Sequence, residues 1–397
     1  MVRGGLSTFV WFLGGLGSWF GAFGLQSVIF PWLAAVVLGL PPERLGLVQM
    51  ALMAPSSVFT LLGGVIADRR DTRLLLARYH VAAALPPLGL AAVVAMGGVS
   101  YVVLLGYGLA MGTFSALIVP ARDALLSRVA VGWVPRAVAV ASAVSLVCQL
   151  IGIAMGAAAG SLGAPALLVA QAAVLIGGAL ATARTVAAPP PASREDRWTA
   201  LRGGLAEAWM SERIFPVMIV MLAVGTLFVG SFVVVVPLIA RDDYGAGSGG
   251  LALFNGCFFG GTVASILAQI RLAPPRRPGR VIMLTLLFGA GVLAAMAVRG
   301  PMALQAALCL VWGMGAGVVL TQARTIVQMA ATAARRGRLL ATYQLAITGG
   351  APLGAVLMGY LSGLVGLRRA VLWPAATMLL VLAFLLVRSR MWRQEAV

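Results

Sequence analysis

Few side chains in this sequence could exchange protons or form reactive groups. The 397 residues include eleven carboxylates and one histidine. The carboxylates are Glu43, Asp68, Asp71, Asp123, Glu195, Asp196, Glu207, Glu212, Asp242, Asp243 and Glu395. His80, Asp242 and Asp243 are the candidates for proton uptake, although a packed, hydrogen-bonded neutral imidazole is the alternative for His80. Metal-ligand clusters, Ser–His pairs and nucleotide-binding loops are missing from the sequence, so neither an enzyme reaction nor a cofactor is predicted.

The elements that must hold these side chains are long and apolar. Hydrophobic residues make up 61% of the chain and charged residues 10%, which leaves no polar coat for a water-soluble protein. An α-helix needs about 20 apolar residues to cross a bilayer, and twelve stretches reach roughly that length. The predicted spans are 9–38, 45–66, 74–96, 100–119, 138–162, 164–183, 214–239, 249–270, 280–298, 302–321, 339–365 and 370–387. Because lipid offers the backbone no hydrogen-bond partners, each span should be a helix and the chain an all-α membrane protein.

The basic residues predict an orientation. All 29 are arginine, and 24 of them lie at the termini or on even-numbered connections between the spans. The opposite side has only Arg44, Arg241, Arg299, Arg368 and Arg369. Since positively charged loops stay in the cytoplasm, both termini are predicted to be cytoplasmic, and the arginine-only, alanine-rich usage indicates a bacterial inner membrane. The net charge of +18 is scattered over loops, so no nucleic-acid partner is predicted.

A long loop at 184–213 divides the predicted spans into two sets of six. It is Pro-rich at 189–191, and apolar residues then recur three or four positions apart, which predicts a short amphipathic helix on the cytoplasmic face. These apolar residues are Trp198, Leu201, Leu205, Ala208 and Trp209. The predicted domains are therefore 1–183 and 214–397, joined by this linker. The three cysteines, Cys148, Cys257 and Cys309, fall inside spans and are predicted to be packing residues.

Two motifs recur at corresponding places in the two halves. The fourth span ends in Pro-Ala-Arg-Asp-Ala-Leu at 120–125, and the tenth ends in Gln-Ala-Arg-Thr-Ile-Val at 322–327. Small or helix-bending residues occupy matching places in the fifth and eleventh spans: Gly152, Gly156, Gly350, Pro352 and Gly354. Both matches are separated by about 200 residues, which favours a six-plus-six duplication. Close helix packing is the simpler interpretation of the glycines. The two interpretations overlap, because two helices packed closely through glycines could also slide along each other.

The segment between the second and third spans is the most specific motif. It reads Gly-Gly-Val-Ile-Ala-Asp-Arg-Arg-Asp-Thr-Arg at 63–73, where the carboxylate and arginines can form charge-assisted bonds that hold in one conformation and break in another. The segment resembles the loop signature of the major facilitator superfamily, with Asp71 in place of a second glycine. The matching residues are Gly64, Ala67, Asp68, Arg69 and Arg73. Together with 120–125, it is similar to the enterobactin-exporter-like branch of that superfamily.

The resemblance implies an alternating-access transporter with twelve helices in two pseudo-symmetric halves. Its central cavity would be lined mainly by the first, fourth, seventh and tenth spans, and Asp68 would support the outward-facing state near the start of the eleventh span. The alternative to a gating role for the arginines is that they only fix the orientation of the chain in the membrane. The predicted gating residues are Gly64, Asp68, Arg69, Arg73, Arg122, Asp123, Arg336, Arg338, Gly152, Gly156, Gly350, Pro352 and Gly354.

The chain departs from the family pattern in ways that concern coupling. The fourth span lacks the arginine that proton antiporters of the superfamily often have, and Ala22 stands near a position that is often acidic in exporters. No carboxylate lies near the middle of a span, where burial would favour the protonated form. In the fifth span, Ala157 replaces the proline of the drug-exporter signature between Gly156 and Gly160. Proton antiport is therefore implied by the resemblance alone.

Residue spacing on the spans predicts which side chains line the cavity. On the first span, the aromatic residues and Gln26 share one side, while Gly14, Gly17, Gly21 and Gly24 share the other and should press against a neighbouring helix. Exposure to lipid is the alternative for the aromatic side. The predicted cavity residues are Trp19, Phe23, Gln26, Gln49, Tyr107, Met111, Phe114, Thr226, Phe228, Ser231, Asn255, Trp312, Tyr343 and Gln344.

These side chains predict the kind of substrate. A wall of aromatic rings, methionine and uncharged amides suits an amphipathic, neutral or weakly charged organic molecule, and it suits a sugar phosphate or an inorganic ion poorly. We therefore expect a monomeric inner-membrane exporter of a drug or siderophore-like metabolite, in contact with the lipid bilayer and coupled to protons by antiport. A facilitator or importer without proton coupling is the first alternative. A membrane sensor or enzyme is the second, although no appended domain or reactive constellation supports it.

Overall fold

The computed structural model of the chain describes residues 2–130, 132–186, 197–331, 336–389 and 391–393. Within these ranges it leaves out the side chains of 2–6, 61, 65, 68, 135, 197–202, 204 and 336–338. Every regular element in the described residues is a helix, which confirms the all-α prediction. The side chains of Asp68, Arg336 and Arg338 and the Pro-rich stretch 189–191 lie outside the described part.

The described residues of the first half of the chain form nine helices. They are α1 (Val2–Trp32), α2 (Pro42–Arg69), α3 (Thr72–Ala83), α4 (Leu85–Ala95), α5 (Tyr101–Val129), α6 (Val134–Gly156), α7 (Ala159–Leu162), α8 (Ala164–Ala183) and α9 (Arg197–Met210). A π-helical segment, Leu33–Val37, continues α1. The linker helix α9 was predicted, and its Leu205 and Trp209 side chains are exposed while Ala208 is buried.

In the second half, the residues that the structure describes form eight helices and a second π-helical segment, Val224–Val229. The helices are α10 (Phe215–Ala223), α11 (Gly230–Tyr244), α12 (Ser248–Arg271), α13 (Pro278–Met296), α14 (Met302–Ala330), α15 (Arg336–Val365), α16 (Leu367–Ala370) and α17 (Leu372–Arg388). The π segment joins α10 to α11, so the three together form one continuous apolar stretch, Phe215–Tyr244. A 3-10 turn at Met391–Arg393 follows α17.

Eleven helical stretches in the described residues are long and apolar enough to cross a membrane. The chain is thus a multi-pass membrane protein, as predicted. The predicted span 45–66 lies within α2, a helix of 28 residues. It is not among the eleven, which were counted over described side chains alone, and those of 61, 65 and 68 in α2 are left out. The predicted span 74–96 corresponds to one of the eleven stretches, Thr72–Ala95, which consists of the consecutive helices α3 and α4. The two helices are separated at Ala84, because Pro86 and Pro87 stand at the start of α4 and lack the N–H groups that would continue α3.

Local sequence explains several helix ends. Asp71 accepts a hydrogen bond from the backbone nitrogen of Arg73 at 2.9 Å and so caps the start of α3. The Ser100 hydroxyl accepts one from the Val103 nitrogen at 3.4 Å at the start of α5. Gly245 ends α11 in the left-handed conformation, with φ of 56°, which L side chains rarely adopt.

The helices group into two compact units. The N unit contains Met1–Leu40, Ala51–Arg197 and Ala246–Ala252, and the C unit contains Pro41–Met50, Trp198–Gly245 and Leu253–Val397. The unit boundaries fall inside three helices. The first residues of α2 group with the C unit, the first residues of α12 group with the N unit, and α9 is divided after Arg197.

Glycines bring helix backbones into direct contact within the N unit. The glycine side of α1 faces neighbouring helices, as predicted: Gly17, Gly21 and Gly24 face α6. On α6, a Cβ atom added to Gly152 would collide with the Gly21 carbonyl oxygen. On α5, a Cβ atom at Gly112 would collide with the Leu52 carbonyl oxygen of α2. Small residues at such positions allow helices in lipid to pack closely.

The C unit contains the same kind of contact between corresponding elements. A Cβ atom at Gly354 of α15 would collide with the Thr226 carbonyl oxygen of the π segment. One at Gly313 of α14 would collide with the Phe258 carbonyl oxygen of α12, and one at Gly261 of α12 would collide with the Leu310 carbonyl oxygen. Both units thus use glycine to bring helix backbones into direct contact.

Candidate functional site

A chain of buried uncharged polar side chains connects three helices of the N unit. The Tyr107 hydroxyl of α5 donates to Gln171 Oε1 of α8 at 3.3 Å, and Gln171 Nε2 donates to Gln26 Oε1 of α1 at 3.2 Å. All three side chains are at most 5% exposed. Buried amides and hydroxyls are costly without partners, so this chain fixes how the three helices are rotated. Two predicted cavity residues, Gln26 and Tyr107, are brought together through Gln171, which the sequence analysis did not single out.

Some aromatic side chains of α1 are buried against other rings, and one is exposed. Phe30 lies 5.4 Å from the Tyr107 ring, centroid to centroid, and Trp19 is buried 6.1 Å from the ring of His80. Phe23 is instead 39% exposed. On α5, Met111 is buried and Phe114 is half-buried. Of the predicted cavity residues on these two helices, Phe23 is therefore the most accessible.

His80 is enclosed by backbone carbonyls. Its Nδ1 lies 2.9 Å from the Leu76 oxygen and its Nε2 lies 3.2 Å from the Gly15 oxygen. The side chain is 1% exposed, and neither 7–32 of α1 nor 164–183 of α8 contains an ionisable side chain. A neutral imidazole can donate to only one of these two oxygens. These contacts fit the packed, hydrogen-bonded alternative for this residue.

The predicted gating residues that the structure describes make mostly local contacts in the N unit. Arg122 Nη2 lies 2.9 Å from the Asp123 carboxylate, and the Arg122 guanidinium stands 5.4 Å from the centre of the Phe20 ring. Arg73 Nη1 donates to the Thr185 carbonyl oxygen at 3.4 Å, which links the start of α3 to the end of α8. Gly64 is buried and Arg69 is exposed.

The remaining predicted gating residues that the structure describes lie on α6 and α15, where helices are in close contact. Gly156 of α6 faces the Val28 side chain of α1, and Gly350 of α15 faces the Leu222 carbonyl oxygen of α10. Pro352 lies inside α15, between Gly350 and Gly354. These residues thus occupy helix–helix surfaces in both units.

Five aromatic rings form a cluster in the C unit, here called the ring cluster: Phe228, Phe232, Phe258, Phe259 and Trp312. Phe258 lies 4.1 Å from Phe232, 5.4 Å from Phe259 and 5.7 Å from Trp312, measured between ring centroids. Trp312 also lies 6.0 Å from Phe228 and 5.8 Å from Phe232. Phe228 and Trp312 were predicted, whereas the other three were not. The spacing of Phe228 and Phe232, one helical turn apart, was the available signal.

The other predicted cavity residues of the C unit mostly bond to backbone. Ser231 donates to the Leu227 oxygen at 2.6 Å, and Tyr343 donates to the Leu320 oxygen at 3.2 Å. Gln49 Nε2 donates to the Val233 oxygen at 3.0 Å, which joins the first residues of α2 to α11. Three further residues make up the set: Thr226 is half-buried, Asn255 is buried and Gln344 is exposed.

The two adjacent aspartates at the end of α11 differ in their surroundings. Asp243 is 7% exposed at its side chain and lies 2.5 Å from Arg368 Nη2 and 3.5 Å from Arg299 Nε. Arg368 also donates from Nη1 to the carbonyl oxygens of Met296 and Val298 at the end of α13. Asp242 is 44% exposed and pairs with its neighbour Arg241 at 2.5 Å. Arg368 therefore ties together the ends of α11, α13 and α16.

Loss of the Asp243 carboxylate should destabilise the C unit. We expect Asp243→Asn to lower the free energy of unfolding by about 3–5 kcal/mol, because it leaves the Arg368 guanidinium buried without a counter-charge. Asp242→Asn is the matched control, and its exposed pair should contribute at most about 1 kcal/mol. Thermal unfolding of the purified variants in detergent would measure the difference. Equal midpoints for the two variants would contradict this structural role for Arg368.

Comparisons with known proteins identify the family. A sequence model described as transmembrane secretion effector matches residues 6–397. A search of curated protein sequences finds no significant match.

Solved structures of transporters share the fold. The nucleoside transporter NupG is 14% identical, with a TM-score of 0.75 over 98% of this chain and 99% of that chain. A POT family transporter in complex with a thioalcohol-conjugated peptide is 13% identical, with a TM-score of 0.74 over 99% and 97%. A bacterial homolog of the human lysosomal transporter Spinster, inward-facing and unoccupied, is 14% identical, with a TM-score of 0.65 over 97% and 96%. At these identities the likeness concerns the fold. Taken with the sequence match, it shows that the chain is a membrane transporter of the major facilitator type and belongs to the transmembrane secretion effector family.

Proposed function

We propose that this protein exports a small amphipathic organic compound, a drug or a siderophore-like metabolite, across the bacterial inner membrane. The observation that carries the proposal is the ring cluster of the C unit, which contains no charged side chain and in which Phe232, Phe258 and Phe259 are half-buried. Accessible aromatic surface of this kind favours a molecule with apolar rings. The description of the matched family as a secretion effector supports the outward direction.

The proposed architecture has twelve transmembrane helices in two six-helix halves, 1–183 and 214–397, joined by the linker 184–213. Two observations support it: α2 is a 28-residue helix between two spanning stretches, and the glycine contacts recur between corresponding helix pairs of the two units. The arginine distribution supports cytoplasmic termini. We further propose that the protein works as a monomer and that the enterobactin-exporter-like branch is its nearest type.

Within this proposal, alternating access depends on Asp68 and its neighbours. The motif 63–73 and the arginines Arg122, Arg336 and Arg338 would hold one facing state by ionic contacts that break in the other. The Arg73 bond to the Thr185 carbonyl supports a role for this segment in joining helix ends. The glycine contacts of Gly152, Gly156, Gly350 and Gly354 would be the surfaces along which helices shift.

Proton antiport is the proposed coupling, and transport without proton coupling is the second candidate. Antiport rests on the family resemblance, with His80, Asp242 and Asp243 as the candidate carriers. The lack of a carboxylate near the middle of any predicted span favours the uncoupled facilitator or importer. Uptake of the substrate into inside-out vesicles, measured with and without a proton gradient, distinguishes antiport from uncoupled transport. Accumulation of the substrate to the same level with and without the proton gradient would exclude antiport.

Export itself is tested by comparing metabolites in cells and medium for three strains. One expresses the chain, one lacks it, and one carries Asp68→Asn. We expect a compound that accumulates inside the cells and disappears from the medium in both defective strains. The reverse distribution would establish import instead. No difference under several growth conditions would contradict constitutive export.

A further inference from the structure

The ring cluster has one central ring and a half-buried outer layer. Phe258 makes centroid contacts of 4.1–5.7 Å with Phe232, Phe259 and Trp312. Trp312 and Phe228 are 3% and 7% exposed, so they form the buried back of the cluster. Phe232, Phe258 and Phe259 are half-buried. The cluster therefore leaves aromatic surface accessible on three rings while the other two rings support them from behind.

The backbone beneath the central ring is held in place. Gly313 of α14 lies against the Phe258 carbonyl, where any larger residue would collide. Thr262 Oγ1 lies 2.9 Å from the Phe258 carbonyl oxygen and 3.0 Å from the Gly313 carbonyl oxygen, so its hydroxyl hydrogen-bonds at this crossing of α12 and α14. The position of Phe258 is fixed before a ligand arrives. Binding would therefore cost less conformational entropy than binding to a mobile site.

The half-buried rings and Trp312 lie on α11, α12 and α14. The charged side chains of these helices restrict the charge that a ligand can carry. The only carboxylates on α11, α12 and α14 are Asp242 and Asp243. Ten residues separate Asp242 from Phe232, which is roughly 15 Å along a helix. Both carboxylates are also paired with arginines. A ligand with a fixed positive charge would find no counter-charge here, whereas an uncharged aromatic ring can stack on or meet the edges of the exposed rings.

We propose that Phe232, Phe258 and Phe259 bind an uncharged planar aromatic ring of the transported compound, so that the protein selects aromatic over saturated rings of the same size. The inference rests on the proposed transport of an amphipathic organic compound and adds the substrate class. Edge-to-face and offset-stacked contacts strengthen ring binding beyond the burial of apolar area, and we expect roughly a tenfold preference. Simple hydrophobic burial predicts the opposite order, because a cyclohexyl group is more hydrophobic than a phenyl group.

Two neutral probes that differ only in the ring provide the test: radiolabelled 4-phenylbutanamide and 4-cyclohexylbutanamide. Binding is measured on the full chain in lipid nanodiscs, with empty nanodiscs to subtract partition into lipid. We expect the wild type to bind the phenyl probe about tenfold more tightly. Phe258→Leu should bring the two affinities within about twofold of each other, while Phe258→Tyr should keep the preference. Phe384→Leu, at a 51% exposed ring on α17, is the matched control and should behave as the wild type.

Each other outcome has a defined meaning. Equal binding of the two probes, tighter binding of the cyclohexyl probe, or binding of neither by the folded wild type would overturn the aromatic selectivity. Retained preference in Phe258→Leu would overturn the assignment to the ring cluster. The strain comparison of metabolites is independent of these probes. Export of a non-aromatic compound would therefore reject the aromatic substrate class and keep the proposed export function. Binding of the phenyl probe without export of any compound would reject the export function and keep the aromatic selectivity of the ring cluster.

Discussion

Gly354→Ala should destabilise the protein by about 3 kcal/mol, although it adds a single methyl group. The added Cβ atom would collide with the Thr226 carbonyl oxygen and lie 2.7 Å from the Thr226 carbonyl carbon. Backbone atoms cannot rotate away as side chains do, so α15 and the π segment would have to separate. Gly152→Ala should have a similar effect in the N unit, where the added atom would lie 2.8 Å from the Leu25 nitrogen and collide with the Gly21 oxygen.

Two glycines that face open space provide controls, one on the same helix as Gly354 and one on another helix of the N unit. Gly349 is on α15, and a Cβ atom there would meet no atom within 4 Å; the same is true of Gly177 on α8. Gly349→Ala and Gly177→Ala should leave the midpoint temperature of thermal unfolding unchanged or raise it slightly, because alanine has a higher helix propensity than glycine. The midpoint of thermal unfolding in one detergent would be compared for all four variants. Similar midpoints for Gly354→Ala and Gly349→Ala would show that α15 and the π segment separate easily.

Asp68→Asn should lower the rate of transport about 10- to 100-fold without unfolding the protein. The expectation follows from the proposed gating role, in which the carboxylate makes charge-assisted bonds in one facing state. Such bonds contribute about 1.5–3 kcal/mol, and each 1.4 kcal/mol changes an equilibrium about tenfold. The initial rate of substrate movement in membrane vesicles with equal amounts of protein measures the effect.

Asp71→Asn is the control for this change, since it removes the same charge three residues away. Asp71 caps α3 through the Arg73 nitrogen, and asparagine caps helices about as well as aspartate. Transport by Asp71→Asn should therefore stay close to that of the wild type. Equal losses in both variants would indicate that the overall charge of the motif matters, and full activity of Asp68→Asn would refute the gating role.

The fold was largely predictable because a membrane restricts which patterns are possible. Long apolar stretches predicted the helices, and the spacing of glycines on α1 predicted its contact side correctly. The division of span 74–96 at Ala84 was missed, although Pro86 and Pro87 were visible, because hydropathy alone does not register a missing N–H group.

The site was less predictable, because its contacts depend on how each helix is rotated. Gln26 and Tyr107 were chosen from their own helices, but Gln171, which joins them, lies 145 positions from Gln26. Phe258 and Phe259 were not predicted, because only the packing of α12 on α14 places Phe258 beside Trp312. Asp243 and Asp242 are adjacent in sequence, yet only Asp243 meets Arg368, which is distant along the chain.

The π-helical segment Val224–Val229 affects how residue roles are transferred from relatives. A π turn closes its hydrogen bonds over one residue more than an α turn, so residues after Val229 are rotated by about 100° relative to an uninterrupted α-helix. A relative with a regular helix here should be one residue shorter, and the alignment gap belongs inside the membrane span. Without that gap, every role carried onto Ser231 through Tyr244 would be assigned to the neighbouring side chain.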